Sequence, residues 1–185
     1  MRIDPVRTAL HCDLQWQWSE PMFPSALHEE AARLLDAFRA LDKRLVTAES
    51  CTGGLIAALL TEIPGSSHVV ERGFVPYSNE AKQEDLGVPA NVLAAHGAVS
   101  EAVARAMAEG ALAHSHADVA ISVTGIAGPS GASAEKPIGL VHLAAARNEG
   151  VTLHRECRFG AIGRGQIRTN SVEVALSLLR LALET

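Results

Sequence analysis

Apolar residues recur at helical spacing in the first regular segment of the chain. They begin behind Ser25, a residue type that often caps helices, and they predict an amphipathic helix of about four turns. The apolar positions of this helix are Leu27, Ala31, Leu34, Leu35, Phe38 and Leu41. The segments that follow predict a strand over residues 44–48 and a helix over residues 55–63, which a Pro-Gly pair terminates.

The rest of the chain alternates short apolar runs with helical periods. The predicted elements are a strand region at 69–70 and 73–77, a short helix capped by Asn79, a helix over 89–95, a helix from Ser100, strands over 118–123, 139–146 and 151–159, and a final helix over 166–184. A hairpin signal at residues 147–150 makes the last two strands antiparallel. This order predicts an α/β fold: a three-layer α/β/α sandwich with a mixed, mostly parallel five-stranded sheet.

The length of 185 residues favours one domain with a well-buried core. Aromatic residues make up only 4% of the chain, so Ala, Leu, Val and Ile must build that core. Residues 1–22 contain both tryptophans but show no regular period. Either they dock on the domain or on a partner, or they are an upstream extension of a chain that starts at Met22, which we favour. We therefore expect a poorly ordered extension over 1–22 and a single domain over 23–185.

Charge and cysteine usage narrow the classes of partner. The net charge is −5 and the basic residues are scattered, so we expect neither nucleic acid nor a membrane as a partner. Cys12, Cys51 and Cys157 have no metal-ligand spacing, which favours a reducing compartment without structural zinc. No apolar run suits a signal peptide or a membrane span, so we expect a cytoplasmic protein. Helices rich in Ala and Leu are compatible with a homodimer.

A short polar stretch from Thr47 to Gly54 joins the first predicted strand to the second helix. A strand that ends at a helix N-terminus directs several free backbone N–H groups at one place, which favours negative charge there. Ser50 adds a hydroxyl, and Gly53 with Gly54 permits close approach, so this corner suits a bound phosphate or an oxyanion beside a nucleophile. A turn with helix-capping residues is also ordinary structure, and the local sequence leaves these alternatives open.

Two further segments follow predicted strands, at the sheet edge where open α/β sheets bind ligands. One contains Tyr77 and Lys82, and the other is the loop over residues 125–131. A desolvated lysine can lose its proton near neutral pH and activate a serine for acyl transfer, while a tyrosine can relay a proton to the leaving group. Ser50, Lys82 and Tyr77 are therefore candidate catalytic residues. Arg164, at the start of the last helix, is placed to bind a phosphate.

Each of these residues also has a purely structural explanation. Lys82 would then be a solvated helix lysine, and Tyr77 a partly buried tyrosine at a strand end. The glycine loop would be a tight turn, since it matches neither GxGxxG nor the P-loop pattern. No metal is expected, because no ligand-like grouping links the central histidines: His96, His114, His116 and His142.

Six motifs in order resemble those of one protein family. They are Ala48 to Gly54, Gly73 to Lys82, Leu86-Gly87-Val88, His96 to Glu101, Thr124 to Pro129, and Glu135 to Gly139. Together they resemble the successive motifs of the CinA C-terminal domain family. The resemblance runs from about residue 25 to the C-terminus.

The resemblance implies a fold and a function. The family fold is an α/β/α sandwich, and its stand-alone members include nicotinamide mononucleotide deamidase. The implied reaction converts the carboxamide of nicotinamide mononucleotide to nicotinic acid mononucleotide and ammonia, with no metal or organic cofactor. Carried over by position, Ser50 is the nucleophile, and Lys82 with Tyr77 forms its base and proton relay. The residues expected to bind substrate are Cys51, Thr52, Gly53, Gly54, Asn79, Gly125, Ile126, Ala127, Gly128 and Arg164.

Within this implied mechanism, N–H groups of the turn over residues 51–53 hold the oxyanion, and the 125–131 loop with Arg164 holds the phosphate. Two departures from the family pattern stand out. Many relatives have Gly-Asp-Arg before the last helix, whereas this chain has Ala161-Ile162-Gly163-Arg164. Larger relatives also carry an N-terminal nucleotide pyrophosphatase-like domain, for which this chain has no room. The alternatives are a catalytically silent nucleotide-binding or regulatory module, and a hydrolase for another amide or an ester.

Overall fold

The computed structural model describes residues 22–185. The predicted N-terminal extension therefore lies, apart from Met22, outside the described residues. Within the described range there are six α-helices: α1 (Ser25–Ala40), α2 (Leu55–Glu62), α3 (Asn79–Leu86), α4 (Ala90–His96), α5 (Glu101–Ala113) and α6 (Arg164–Glu184). The strands of the same range are β1 (Leu45–Glu49), β2 (Val70–Phe74), β3 (Val119–Gly125), β4 (Leu140–Arg147) and β5 (Leu153–Arg158). None of the helices in this part of the chain is long and apolar enough to cross a membrane.

The strands of residues 22–185 form a mixed sheet in the order β2-β1-β3-β4-β5. β1 is parallel to both β2 and β3, whereas β4 is antiparallel to β3 and to β5. Four strands therefore point in one direction and β4 is reversed, which confirms the predicted mixed, mostly parallel sheet. The carboxyl ends of β1, β2 and β3 consequently share one edge, where ligands bind in sheets of this kind.

Helices cover both faces of the sheet, as the predicted α/β/α layering requires. α1, α2 and α6 belong to the core on the face of Leu45, while α3, α4 and α5 pack on the face of Val46, the next residue of β1. The second core is rich in alanine, whose small side chain lets α5 lie close to the strands. Its buried alanines include Ala48, Ala104, Ala108, Ala111, Ala120, Ala144 and Ala146.

Helix α5 also lies very close to the end of α3. A β-carbon added at Gly110 would overlap the backbone carbonyl oxygen of Leu86 and crowd the carbonyl carbon as well. Backbone atoms cannot rotate away as a flexible side chain can. Gly110 therefore permits a contact between the two helices that no larger residue allows.

The junction between β2 and α3 differs from the sequence-based prediction. β2 ends at Phe74, so Tyr77 lies three residues beyond the strand and not at its end. Asn79, predicted to cap the helix, is its first residue, and Ser78 is the cap, since its hydroxyl accepts a hydrogen bond from Ala81 N at 3.0 Å. Both residue types cap helices well, so only the turn geometry selects between them.

Two later boundaries also differ. Helix α6 begins at Arg164, two residues before the predicted start, directly after Gly163 with its positive φ of 98°. The last strand was predicted to begin at residue 151, but β5 begins at Leu153, and Val151 precedes it with 81% of its surface exposed. Apolar periodicity does not reveal either change, because glycine-rich starts and hairpin turns obscure it.

Candidate functional site

A cleft opens at the carboxyl edge of the sheet, where β1 and β3 end. Ser50 follows β1 directly, and its backbone N–H donates to Val123 O of β3 at 2.9 Å, which extends the strand pairing up to the serine. The cleft has a volume of about 320 Å³. Most of the predicted site residues line it: Ser50, Cys51, Tyr77, Asn79, Lys82, Gly125, Ile126, Ala127, Gly128 and Arg164.

Ser50 and Lys82 form a direct contact inside this cleft. Lys82 Nζ lies 3.0 Å from Ser50 Oγ and also donates to Pro76 O at 2.9 Å. The Lys82 side chain is only 1% exposed and Ser50 is 9% exposed. The structural explanation of Lys82 as a solvated helix lysine is therefore wrong.

Burial changes the protonation of this lysine. Because water cannot solvate the ammonium group inside the cleft, burial lowers the pKa of Lys82 below the ordinary lysine value. A larger fraction of Lys82 is then neutral near physiological pH. A neutral amine nitrogen can accept the hydroxyl proton of Ser50 while it continues to donate to Pro76 O.

Cys51, the residue after Ser50, also lines the cleft but is not prepared for nucleophilic attack. Burial is the main cause that raises the pKa of its thiol to about 12. The thiol therefore stays protonated at neutral pH, and only a thiolate is a strong nucleophile. Ser50 is consequently the better nucleophile of the two adjacent residues.

The N-terminus of α2 already has an anion of its own. The fully buried carboxylate of Glu49 accepts Ile56 N at 3.0 Å and Ala57 N at 2.8 Å. These are N–H groups that the first turn of a helix leaves without a helical acceptor. Of the two alternatives that the sequence left open at this corner, a bound phosphate is therefore disfavoured, because the side chain of Glu49 occupies the helix end.

The turn after Ser50 also differs from the expected oxyanion site. Gly53 N–H donates to Ser50 O at 3.0 Å, so this donor is already in use. Among the described residues, the N–H groups of Cys51 and Thr52 have no backbone acceptor. Of the two residues only Cys51 lines the cleft, so its N–H is the one within reach of a bound oxygen.

Three residues expected to bind substrate do not line the cleft. Thr52 is fully buried, and its carbonyl oxygen accepts a hydrogen bond from Arg168 Nη2 at 2.7 Å. Gly53 lies beside the same guanidinium, and Gly54 lies beside Val75. The two glycines have φ angles of 60° and 90°, which only glycine adopts freely, so they shape the turn from behind the cleft.

Arg164 connects two sides of the cleft mouth. Its Nη1 donates to Gly128 O at 3.0 Å, and its Nη2 donates to the hydroxyl of Tyr77 at 3.0 Å. Tyr77 is 61% exposed, so it is not the partly buried strand-end residue of the structural explanation. The early start of α6 brings Arg164 into this position at the first turn of the helix.

Sequence reasoning missed part of the lining. Ala98, Val99 and Thr124 border the cleft without having been indicated, whereas Ser130 and Gly131, which also border it, belong to the predicted 125–131 loop. The Thr124 hydroxyl donates to Ala98 O at 2.8 Å and so holds the loop before α5 against the end of β3. Apolar loop residues carry no chemical signature, which is why the sequence pattern did not indicate them.

A larger concavity of about 870 Å³ lies at the opposite edge of the sheet. It is bordered by the Lys43–Asp118 ion pair, by Arg147 and by the end of α6. Lys43 and Asp118 neutralise each other there, and no serine or cysteine lines the concavity. The smaller cleft is therefore the candidate site on chemical grounds. Within residues 22–185, no group of three or more metal-ligating side chains is arranged to hold an ion.

Residues 27–183 match the CinA C-terminal domain. The chain belongs to the CinA C-terminal domain family, and the resemblance drawn from its motifs is thereby confirmed. The chain is 46% identical over 166 residues to a CinA-like protein of Anaeromyxobacter sp. (strain K), and this alignment covers 90% of this chain and 40% of that protein. It is 49% identical over 159 residues to a CinA-like protein of Mycobacterium marinum, which covers 86% of this chain and 36% of that protein. The chain thus spans well under half the length of these relatives.

Solved structures give the same assignment. The competence/damage inducible protein CihA from Agrobacterium tumefaciens superposes with a TM-score of 0.87 at 53% identity, covering 90% of this chain and 100% of that chain. A CinA superfamily protein from Klebsiella pneumoniae superposes with a TM-score of 0.81 at 37% identity, covering 85% of this chain and 98% of that chain. The names of these two proteins refer to competence and damage and specify no reaction.

Proposed function

We propose that this protein is a nicotinamide-nucleotide amidohydrolase, which converts nicotinamide mononucleotide to nicotinic acid mononucleotide and ammonia. The observation that carries the proposal is the buried 3.0 Å contact between Lys82 Nζ and Ser50 Oγ. A hydroxyl beside a desolvated amine is suited to acyl transfer without histidine, because the amine can act as the base. A module that only binds a nucleotide has no need of a lysine buried in this way.

The reaction begins with attack by Ser50 on the amide carbon. Neutral Lys82 takes the hydroxyl proton while Oγ forms the new bond. The carbonyl oxygen becomes an oxyanion, for which the N–H group of Cys51 is the proposed donor. Gly53 has no part in this step, since its N–H is bound to Ser50 O.

The second half of the reaction returns the proton. The tetrahedral intermediate breaks its C–N bond, and the nitrogen leaves as ammonia after it accepts a proton from the Lys82 ammonium, directly or through the Tyr77 hydroxyl. Water then attacks the acyl enzyme, gives its proton to neutral Lys82 and releases the carboxylate product. Ser50 regains its proton as the ester bond breaks.

The proposed phosphate contact is Arg164. Two of its N–H groups donate to Gly128 O and to Tyr77, and a guanidinium has five such donors, so others remain for a ligand. The N-terminus of α2 does not compete for the phosphate because Glu49 caps it. The cleft volume of about 320 Å³ lies at the lower end of the range of small-molecule sites, roughly 300–1,000 Å³.

The test is ammonia release by purified protein supplied with nicotinamide mononucleotide, the corresponding riboside or free nicotinamide. We expect release from the mononucleotide and little from the other two compounds, which lack the phosphate. Ser50→Ala and Lys82→Ala should each lower the rate by a factor of about 10²–10⁴ without loss of the fold. The matched control is Lys43→Ala, which removes a lysine whose ion pair with Asp118 lies at the opposite edge of the sheet.

The competing candidate is a catalytically silent nucleotide-binding module. It would release no ammonia, yet the mononucleotide would still raise the melting temperature by binding the folded state. That result would overturn the proposed enzyme. Release from a different amide or from an ester would retain the roles of Ser50 and Lys82 and change only the substrate.

A further inference from the structure

Arg168 contacts the nucleophile turn from behind the cleft. It lies one helical turn after Arg164 on α6, and its Nη2 donates to Thr52 O at 2.7 Å. Its Nε is buried without a hydrogen-bond partner among the described residues. A desolvated donor without an acceptor is unfavourable. The fold therefore keeps this guanidinium against the turn at some cost in stability.

The hydrogen bond from Arg168 continues through the backbone of the turn. The peptide unit that offers the Thr52 carbonyl also contains the N–H of Gly53, and this N–H donates to Ser50 O at 3.0 Å. The peptide unit of Ser50 in turn contains the N–H of Cys51, which has no backbone acceptor among the described residues. Arg168 thus lies at one end of a chain of two peptide units, and the Cys51 N–H lies at the other.

Such a chain strengthens its last donor. A hydrogen bond received by a carbonyl polarises its peptide unit and makes the N–H of that unit a better donor, and successive bonds reinforce one another. The residue after a catalytic serine often supplies an oxyanion donor through its N–H, which is the place of Cys51 in this turn. The positive charge of Arg168 also reaches Cys51, since it opposes the burial that raises the pKa of the thiol.

Arg168 and Glu49 contact the turn from two sides. Gly53 has a φ of 60°, and a β-carbon at this position would lie 3.5 Å from Arg168 Nη2. Glu49 holds the other side of the turn through Ile56 N and Ala57 N. A cation and an anion therefore fix the backbone that carries Ser50 before a substrate binds.

We propose that Arg168 is a positioning residue for acyl transfer: it holds the Ser50–Gly53 turn and polarises it, so that the Cys51 N–H is a prepared oxyanion donor. The inference rests on the proposed role of Ser50 as the nucleophile. It does not depend on which amide or ester is the substrate. Arg168 acts through the backbone and makes no contact with the reacting atoms.

The test uses a probe that needs no knowledge of the substrate. An alkyl fluorophosphonate reacts with an activated serine: Oγ bonds to phosphorus, the P–F bond breaks, fluoride leaves and the hydroxyl proton passes to Lys82. The phosphoryl oxygen takes the place of the oxyanion. The rate constant for modification of Ser50 is measured by intact mass spectrometry against pH for the wild-type protein, Arg168→Gln and Arg168→Lys.

We expect Arg168→Gln to lower the plateau rate by about tenfold or more. The loss should remain smaller than the factor of about 10²–10³ that follows the complete removal of an oxyanion donor. The midpoint of the pH profile should not move, because Lys82 and its burial are unchanged. Arg168→Lys should react at an intermediate rate, since it keeps the charge but loses the planar fork. The matched control is Arg180→Gln, which removes another hydrogen-bonding arginine of α6, bound to Glu30 away from the site.

The outcomes separate the two proposals. Equal rates for the wild-type protein, Arg168→Gln and Arg168→Lys would overturn the role of Arg168, whatever the substrate is. A shifted pH midpoint with an unchanged plateau would also overturn it, because the residue would then act on Lys82. A wild-type protein that reacts at Ser50 but releases no ammonia from nicotinamide mononucleotide would refute the proposed function and leave this inference intact.

Discussion

The fold buries the side-chain amine of Lys82, although water would stabilise its charged form. An amine that is 1% exposed loses most of its contact with water, and its neighbours Ser50 Oγ and Pro76 O carry no full charge to compensate. The folded protein therefore holds this proton less tightly than the unfolded chain does. The same burial that would make Lys82 a base also destabilises the folded protein.

This conflict predicts opposite effects of Lys82→Met on activity and on stability. We expect ammonia release to fall by a factor of about 10²–10⁴, because the base is lost. The melting temperature at pH 7 should be unchanged or higher, because methionine fills a similar volume without a charge. Differential scanning calorimetry with the Lys43→Met variant as control measures this, since Lys43 is half-exposed and paired with Asp118.

The difference in stability between the Lys82→Met variant and the wild type should depend on pH in a defined direction. The folded-state pKa of Lys82 lies below the ordinary value of 10.5, so the folded protein loses this proton first as the pH rises. The free energy of unfolding of the wild-type protein should then rise relative to the variant between the lowered folded-state pKa and 10.5. A variant that is less stable than the wild type by the same amount at every pH would contradict this explanation.

The sequence indicated Ser50, Lys82 and Tyr77 because motif order and strand ends both point to them. It did not indicate the partner of Glu49, because a strand-end carboxylate reaches the N-terminus of α2 only through the conformation of the intervening turn. Nor did it indicate Arg168, since an arginine on an exposed helix turn is indistinguishable from a solvated one before the tertiary contact is known.

At the scale of elements, the contact between α3 and α5 is the least tolerant of change. We expect Gly110→Ala to lower the free energy of unfolding by about 1–3 kcal/mol, because the added carbon overlaps the Leu86 carbonyl. Helix propensity alone predicts the reverse, a gain of about 1 kcal/mol. Urea denaturation distinguishes these results.

The control for Gly110 is another helical glycine. Gly165 in α6 has open space where its β-carbon would lie, so Gly165→Ala should be neutral or stabilising by up to about 1 kcal/mol. Equal stability of the Gly110→Ala variant and the wild type would mean that α3 moves aside without loss of packing.

Element type and order were predictable because apolar spacing differs between helices and strands, and buried parallel strands such as β1 and β3 are short and consist mainly of apolar or small residues. The boundaries of the helices and strands were less predictable. The early start of α6 and the cap of α3 depend on one or two backbone angles at Gly163 and Ser78. A difference of two residues was enough to bring Arg164 from a loop into the mouth of the cleft.

At the scale of the whole molecule, one histidine pair joins three elements. His142 on β4 and His154 on β5 stack with their rings 5.3 Å apart, and His142 Nδ1 lies 3.1 Å from His154 Nε2. Glu101 at the start of α5 lies 3.5 Å from the other nitrogen of His154. Burial is the main cause that lowers the pKa of both histidines.

Because both histidines have lowered pKa values, we expect the folded protein to lose stability in mild acid. The unfolded chain binds protons at these histidines more readily, so the free energy of unfolding should decrease as the pH falls through 6.5 toward the lowered folded-state pKa values. Between pH 7 and 5 the melting temperature of His142→Gln should fall by about 2–4 °C less than that of the wild type. His68→Gln, at an exposed position, is the control and should follow the wild type.

The titration of Glu30 and Glu101 does not interfere with this measurement between pH 7 and 5. The pKa values of Glu30 and Glu101 lie below the ordinary 4.5 because arginine side chains bond them, so their stabilisation is lost only at lower pH. A wild-type melting temperature that stays constant from pH 7 to 5 would refute the role assigned to the histidine pair.

The carboxylate of Glu49 has a consequence for the state of the protein before any ligand arrives. Helix ends that await a metabolite's phosphate remain incompletely satisfied until it binds. Here the chain supplies its own counterion from the residue next to the serine. The turn that carries Ser50 therefore has its backbone N–H groups satisfied at this helix end without a ligand, and a ligand that binds in the cleft need not supply that charge.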